Sequence, residues 1–186
     1  RNARMLLRQV DDLLDLAKLE SGRMERRYAR TNAGAWFAAL CMQFELAARE
    51  RGLVLDVEAP AGIEAELDLH KTERIVVNLL SNALKFTPAE GHVRARLAQR
   101  DDRLVLQVAD TGPGIPAEQQ AAVFERFQQV EGSAAQARPG TGLGLAIVRE
   151  FAQLLGGDVT LDSSPAGSVF TVDLPARAPD GAAVQA

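Results

Sequence analysis

The chain has 186 residues, 47% of them hydrophobic, and a formal net charge of −4. That is enough for one domain with a real core plus an appendage. An acidic balance of 25 Asp and Glu against 21 Lys and Arg leaves no overall basic surface, which argues against nucleic acid as a partner. The single cysteine, Cys41, excludes an internal disulfide framework and fits a reduced, cytosolic compartment. No apolar run approaches the roughly 20 residues that span a bilayer, so no membrane contact is expected within this segment.

Taken in chain order, Leu6, Leu7, Val10, Leu13, Leu14 and Ala17 recur at three- and four-residue spacing, the mark of an amphipathic helix. Ser21-Gly22 ends it. The chain opens with Arg1 inside this helix, so a piece of a longer protein is expected. A stripe this dense needs a partner, either its own domain or a second helix. A second helix is expected over about Ala33–Arg51, stopping near Gly52, then a strand at Leu53–Val57 broken by Pro60-Ala-Gly62. Asp68 is a natural N-cap for a helix running to about Phe86, with Pro88 and Gly91 beyond it. Val93–Ala98 and Leu104–Ala109 read as a hairpin. A short helix is expected at Glu118–Phe127, followed by a Gly/Ser/Ala/Gln stretch that reads as a mobile loop. Leu143–Leu155 returns to helical spacing, and strands at Asp158–Asp162 and Ser168–Leu174 finish the fold. Residues 176–186, rich in Ala, Pro and Gly, read as a disordered tail or linker. The order implies a two-layer α/β sandwich, one mixed sheet with helices on one face.

Three groups of residues carry chemistry. Asn78, Asn82 and Lys85 lie four and three apart, so they share one helix face. Two amide oxygens and an ammonium there suit a hydrated Mg²⁺ with triphosphate oxygens, since Mg²⁺ keeps several waters and needs few protein groups. The plain alternative is a solvated polar face, but two Asn inside an apolar helical run cost stability for no local gain. Asp110 closes a strand and is followed by Gly112-Pro-Gly114. Its carboxylate can accept a hydrogen bond from a planar amine, and the glycines let backbone approach a flat ring. In isolation the same residues make an ordinary turn. Gly140-Thr141-Gly142-Leu143-Gly144 leads straight into a helix, where backbone N–H groups and the positive helix end suit anionic oxygens. Phe124 and Phe127 either anchor the following loop or pack in the core.

Any one of these matches is weak alone. Together and in this order, Asn78-Leu-Leu-Ser-Asn82-Ala-Leu-Lys85, Asp110-Thr-Gly112-Pro-Gly114, Phe124-Glu-Arg-Phe127 and Gly140-Thr-Gly142-Leu-Gly144 resemble the ATP-binding domain of a sensor histidine kinase. The resemblance implies the Bergerat fold, with Asn82 the principal Mg²⁺ ligand, Asn78 a supporting ligand, Lys85 a phosphate contact and Asp110 the reader of the adenine amine. It implies a domain at 30–175. Residues 1–25 resemble the second helix of a dimerising hairpin whose first helix bears the acceptor histidine. That first helix is not in this chain, and neither His70 nor His92 has the acceptor's flanks. The implied function is transfer of the γ-phosphoryl of MgATP to a histidine, then relay to a response-regulator aspartate, in a homodimer formed through the hairpin.

Two departures and alternatives complete the reading. Many relatives carry an Arg where this chain has Gln129, so Arg126 or Arg138 would have to supply charge at the γ-phosphate. Hydrolytic members of the fold place a carboxylate where Asn78 stands, and an amide has no useful basicity. A Bergerat ATPase is therefore the less fitting alternative. A nucleotide-binding pseudokinase module is the other.

Overall fold

The computed structural model describes residues 2–128 and 141–185, and within the first helix the side chains of Val10, Asp11 and 13–20. Gly140, Gln129 and Arg138, and with them most of the expected mobile loop, lie outside the described residues.

Helix α1 (Asn2–Glu20) ends where the sequence says. Gly22, at φ +64°, donates its N–H to Leu19 O, and Arg23 N–H reaches back to Lys18 O at 3.1 Å, so the last carbonyls are satisfied by a left-handed cap. Strand β1 (Tyr28–Asn32) follows, and then the expected helix of 33–51 divides into α2 (Ala33–Met42) and α3 (Glu45–Glu50). No Gly or Pro announces the break. The turn tightens to i→i−3 bonds, from Gln43 N–H to Leu40 O and Phe44 N–H to Cys41 O, before Ala48 N–H resumes α spacing on Phe44 O.

Strands β2 (Val54–Glu58) and β3 (Glu64–Leu67) precede α4 (Leu69–Phe86), capped as expected by the Asp68 side chain on Lys71 N–H. Then come β4 (His92–Arg100), β5 (Arg103–Asp110), α5 (Gly144–Leu154), β6 (Asp158–Ser164), β7 (Gly167–Pro175) and β8 (Val184–Gln185). The main sheet has the order β2-β4-β5-β7-β6, with β2 parallel to β4 and the other pairs antiparallel. Alternation along β4, β5 and β7 turns Val93, Ala95, Leu97, Leu104, Leu106, Val108, Phe170, Val172 and Leu174 inward, all buried. They meet Ile75, Val76, Leu79 and Leu80 of α4 and Ile147, Val148 and Phe151 of α5. This is the expected two-layer sandwich.

Two expectations are corrected. The short helix at Glu118–Phe127 is instead a pair of 3-10 turns, Ala117–Gln119 and Ala122–Phe124, because only Val123 in this stretch is buried and no continuous apolar stripe holds a longer helix. The segment after Pro175 does not leave the domain as a disordered tail. Ala176 is buried, Ala178 N–H donates to Glu66 Oε2, and Val184 and Gln185 pair in parallel with Tyr28 and Ala29. Strands β3, β1 and β8 thus form a second, three-stranded sheet. These strands are too short and polar to show the alternation that betrays longer ones.

Helix α1 meets the domain on one side and solvent on another. Leu16 is 4% exposed, and Asp15 pairs with Arg74 of α4 at 3.4 Å. Glu20 pairs with Arg126, which also reaches Glu150 of α5 at 3.5 Å. Val10, Leu13 and Leu14 stay about half exposed, at 51%, 49% and 51%. Every described side chain of the expected stripe, Val10, Leu13, Leu14 and Ala17, is therefore exposed, and the helix meets the domain through Leu16, Asp15 and Glu20, which lie outside the stripe.

Candidate nucleotide site

The site is built around α4. Its apolar face is buried on the sheet, which leaves Asn78, Asn82 and Lys85 half-buried along the flank. Asn78 faces the start of α5: a Cβ placed on Gly144 would stand 3.2 Å from Asn78 Oδ1. A side chain at 144 would therefore crowd the Asn78 amide, which glycine does not. Asn78 Nδ2 is buried and has no hydrogen-bond partner among the described residues. Buried amides are rarely left unpaired in native folds, so an unsatisfied donor here suits a bound acceptor group. At the other end of α4, Lys85 Nζ lies 4.7 Å from the Phe86 ring centroid, and Phe86 O borders Gly112.

Asp110 ends β5 in the middle of the sheet, opposite Val93 and Ser168. Its Oδ1 accepts from Gly112 N–H at 2.8 Å, and the Ser168 N–H also donates to the carboxylate. Burial raises the Asp110 pKa above the ordinary aspartate value, while the two backbone donors pull the other way. The turn behind it is braced from the β6–β7 hairpin. Ile115 N–H donates to Ser163 Oγ at 2.9 Å, and Gln120 Nε2 spans Ile115 O and Ser163 O at 2.9 and 3.0 Å. Gly114, at φ +71°, presses against Ser164, where a Cβ would stand only 1.8 Å from its carbonyl oxygen.

The glycine segment is described from Thr141 on. Gly142, at φ +70°, accepts from Phe127 N–H at 2.9 Å through its carbonyl, so residues 127 and 142 close the base of the intervening segment. Thr141 Oγ1 accepts from Leu143 N–H at 3.2 Å, and Leu143 is buried. Helix α5 then starts at Gly144 with no side-chain cap on its first turn. Orphan N–H groups of such a turn are the ones an anionic oxygen satisfies.

The fold thus brings Asn78, Gly142, Leu143 and Gly144 together, and separately Asp110, Gly112, Gly114 and the end of α4. Phe124 is half-buried and packs edge-on against the Phe170 ring at 6.2 Å and 82°. Phe127 is 65% exposed and at φ +64°. Arg126 is engaged by Glu20 and Glu150. His70 and His92 are exposed. Among the described residues no group of three His, Cys, Asp or Glu is placed to hold a metal, so a divalent cation here would rest on amide oxygens and the nucleotide itself. Ser163, Ser168 and Gln120 were not legible as site residues. Only the β5–β7 register puts Ser168 against Asp110.

Comparisons with known proteins give the family and the fold. The chain is 42% identical over 186 residues to the sensor histidine kinase TmoS of Ectopseudomonas mendocina, covering 99% of this chain and 19% of that protein. It is 43% identical over 182 residues to hybrid signal transduction histidine kinase D of Dictyostelium discoideum, covering 94% of this chain and 12% of that one. The chain therefore spans less than a fifth of the length of either relative. Among solved structures, full-length ShkA in complex with AMPPNP superposes with a TM-score of 0.79 at 30% identity, over 91% of this chain and 35% of ShkA. Residues 67–178 match the family described as histidine kinase-, DNA gyrase B-, and HSP90-like ATPase, and the chain belongs to that family.

Proposed function

We propose that this chain is the MgATP-binding, catalytic part of a sensor histidine kinase, and that the intact protein transfers the γ-phosphoryl group to a histidine on a dimerising hairpin. The observation that carries the reading is the buried, unpartnered Asn78 amide set against the uncapped start of α5. An unpaired N–H donor beside a helix N-terminus suits a phosphate oxygen and supports this reading.

In this reading Asp110 accepts from the exocyclic amine of adenine, and Gly112 and Gly114 hold the backbone close to the ring face. Asn82 and Asn78 would hold Mg²⁺, with Lys85 near the phosphates. Bound Mg²⁺ would neutralise charge on the triphosphate oxygens. The first-turn N–H groups of α5 and the 141–144 backbone fix the phosphate oxygens in place. Positioning and charge stabilisation are most of what phosphoryl transfer asks of a protein. Asn78 offers no carboxylate to deprotonate water, so the phosphoryl group is kept for a protein acceptor.

The partners proposed for the intact protein are a second copy, paired through the hairpin to which α1 belongs, and a response regulator that receives the phosphoryl group. ThkA, which shares this fold at a TM-score of 0.73 and 20% identity over 94% of this chain and 49% of ThkA, has been crystallised with its response regulator TrrA. No helix among the described residues is long and apolar enough to cross a membrane.

The test is binding of MgATP, followed by incubation with γ-labelled ATP and a supplied hairpin carrying the acceptor helix. Label on histidine supports the kinase. Binding without label supports a regulatory module, and rapid phosphate release by this chain alone supports an ATPase.

A further inference from the structure

The link between α1 and the nucleotide domain is short and held at both ends. On the helix side, the left-handed cap at Gly22 and the Arg23 N–H bond to Lys18 O finish α1. On the domain side, a buried charge cluster takes hold of the link. Asp68 and Lys71, 2% and 7% exposed, pair at 2.7 Å at the head of α4. Lys71 Nζ donates to the Glu25 carbonyl at 2.7 Å, and Arg27 N–H donates to Asp68 Oδ2 at 2.9 Å. The same carboxylate caps α4 through Oδ1, 3.1 Å from Lys71 N.

A helix cap needs no buried lysine. Burying an ion pair is costly, and it persists where it does a further task. Here the task is visible, because every polar group of the pair that is not spent on α4 itself grips the backbone of residues 25 and 27.

We propose that Asp68 and Lys71 are positioning residues, a latch that clamps residues 25–27 to the head of the nucleotide-binding helix and confines the pivot between α1 and the domain to Arg23–Met24. The Asp15–Arg74 and Glu20–Arg126 pairs belong to one orientation of α1 and part when it swings. The latch lies on the domain side of the pivot and stays closed. A tether kept this short holds an acceptor on the hairpin at high effective concentration beside the nucleotide. That last consequence rests on the kinase reading; the latch itself does not.

Hydrogen exchange at the Arg27 amide tests the latch. Lys71→Met removes the grip on Glu25, and Asp68→Asn keeps an oxygen for the helix cap but puts an NH2 where Oδ2 accepts from Arg27 N–H and Lys71 Nζ. In both variants the Arg27 amide is expected to exchange at least tenfold faster than in the parent, with the Kd for MgATP within twofold. Exchange in the parent as fast as in the variants, or nucleotide affinity falling in step with exchange, overturns the proposal. If Asp68→Asn does not fold, Arg27→Pro deletes the donor from the linker side and leaves the buried pair whole. With a peptide of the acceptor helix paired to α1, Lys71→Met and Arg27→Pro are expected to lower the rate of phosphohistidine formation at least threefold at unchanged KM for MgATP. An unchanged or raised rate overturns the positioning role. A parent chain that binds no MgATP at all would sink the kinase reading and leave the exchange result standing.

Discussion

Asn78 and Gly144 meet across the α4–α5 junction, with Asn78 Oδ1 3.2 Å from the point a Cβ on residue 144 would occupy. Neither residue alone explains this contact. A mediocre helix former inside α4 and a glycine in the first turn of α5 each cost local stability. Together they bring an amide, a cation ligand in the proposed site, against a helix end suited to phosphate.

Gly144→Ala separates stability from binding. Alanine is the better helix former by up to about 1 kcal/mol, so thermal stability is expected to hold or rise. The new methyl pushes Asn78 aside, and MgATP affinity is expected to fall about tenfold, close to 1.4 kcal/mol. Calorimetric titration with MgATP, alongside a thermal melt of the same variant, checks both halves.

Asp110 predicts the pH dependence of adenine binding. Its pKa is raised, chiefly by burial, and the ionised carboxylate is the stronger acceptor for an amine. Affinity for MgATP is expected to weaken on acidification at a higher pH than an ordinary aspartate would impose. The stability effect has the opposite sense. The folded state holds this proton more tightly than the unfolded chain, so the contribution of Asp110 to stability falls as pH rises from about 4 through its raised value. Asp110→Asn should remove both slopes, read by nucleotide titration and urea melts between pH 4 and 7.

Cys41 is fully buried on α2, and burial pushes its thiol up to about 12. The thiolate is the reactive form, so labelling of the native protein at pH 8 by a thiol reagent is expected to run at least about a hundredfold slower than in denaturant. The unfolded chain loses this proton near 9 and the folded chain near 12, so stability is expected to drop through that window. Cys41→Ala should remove the window at the cost of a small cavity.

Deleting residues 177–186 removes β8 and the Ala178 bond to Glu66, leaving β1 an open edge. A loss of about 1–2 kcal/mol is expected, the worth of a few exposed hydrogen bonds and little apolar area. MgATP affinity should be unchanged, because none of the described candidate site residues lies on β1, β3 or β8. A chemical melt paired with nucleotide titration tells the two apart.

How much of this was legible beforehand follows from length and periodicity. Helices α1, α4 and α5 and strands β4 to β7 carry long patterns, and each was recognisable within a few residues of its bounds. The break at Gln43–Phe44 was not, since no residue there is a breaker. Strands β1, β3 and β8 were not, since two to five mostly polar residues cannot declare a period. Phe127 illustrates a different limit: its type suggests burial, yet it is 65% exposed and reaches Gly142 through its backbone.

The amino-acid order by itself determined the family resemblance, the layered class and which residues are candidates to bear a ligand, because type and spacing on a helix or at a strand end are local properties. Only the tertiary structure decided that Asn78 meets Gly144, that Ser168 shares Asp110, and that Asp68 and Lys71 hold the linker. Those contacts join residues 66, 58, 41 and 46 positions apart, respectively Asn78–Gly144, Asp110–Ser168, Asp68–Arg27 and Lys71–Glu25. Sheet register and helix packing set such distances, and neither is written in any short stretch of the chain.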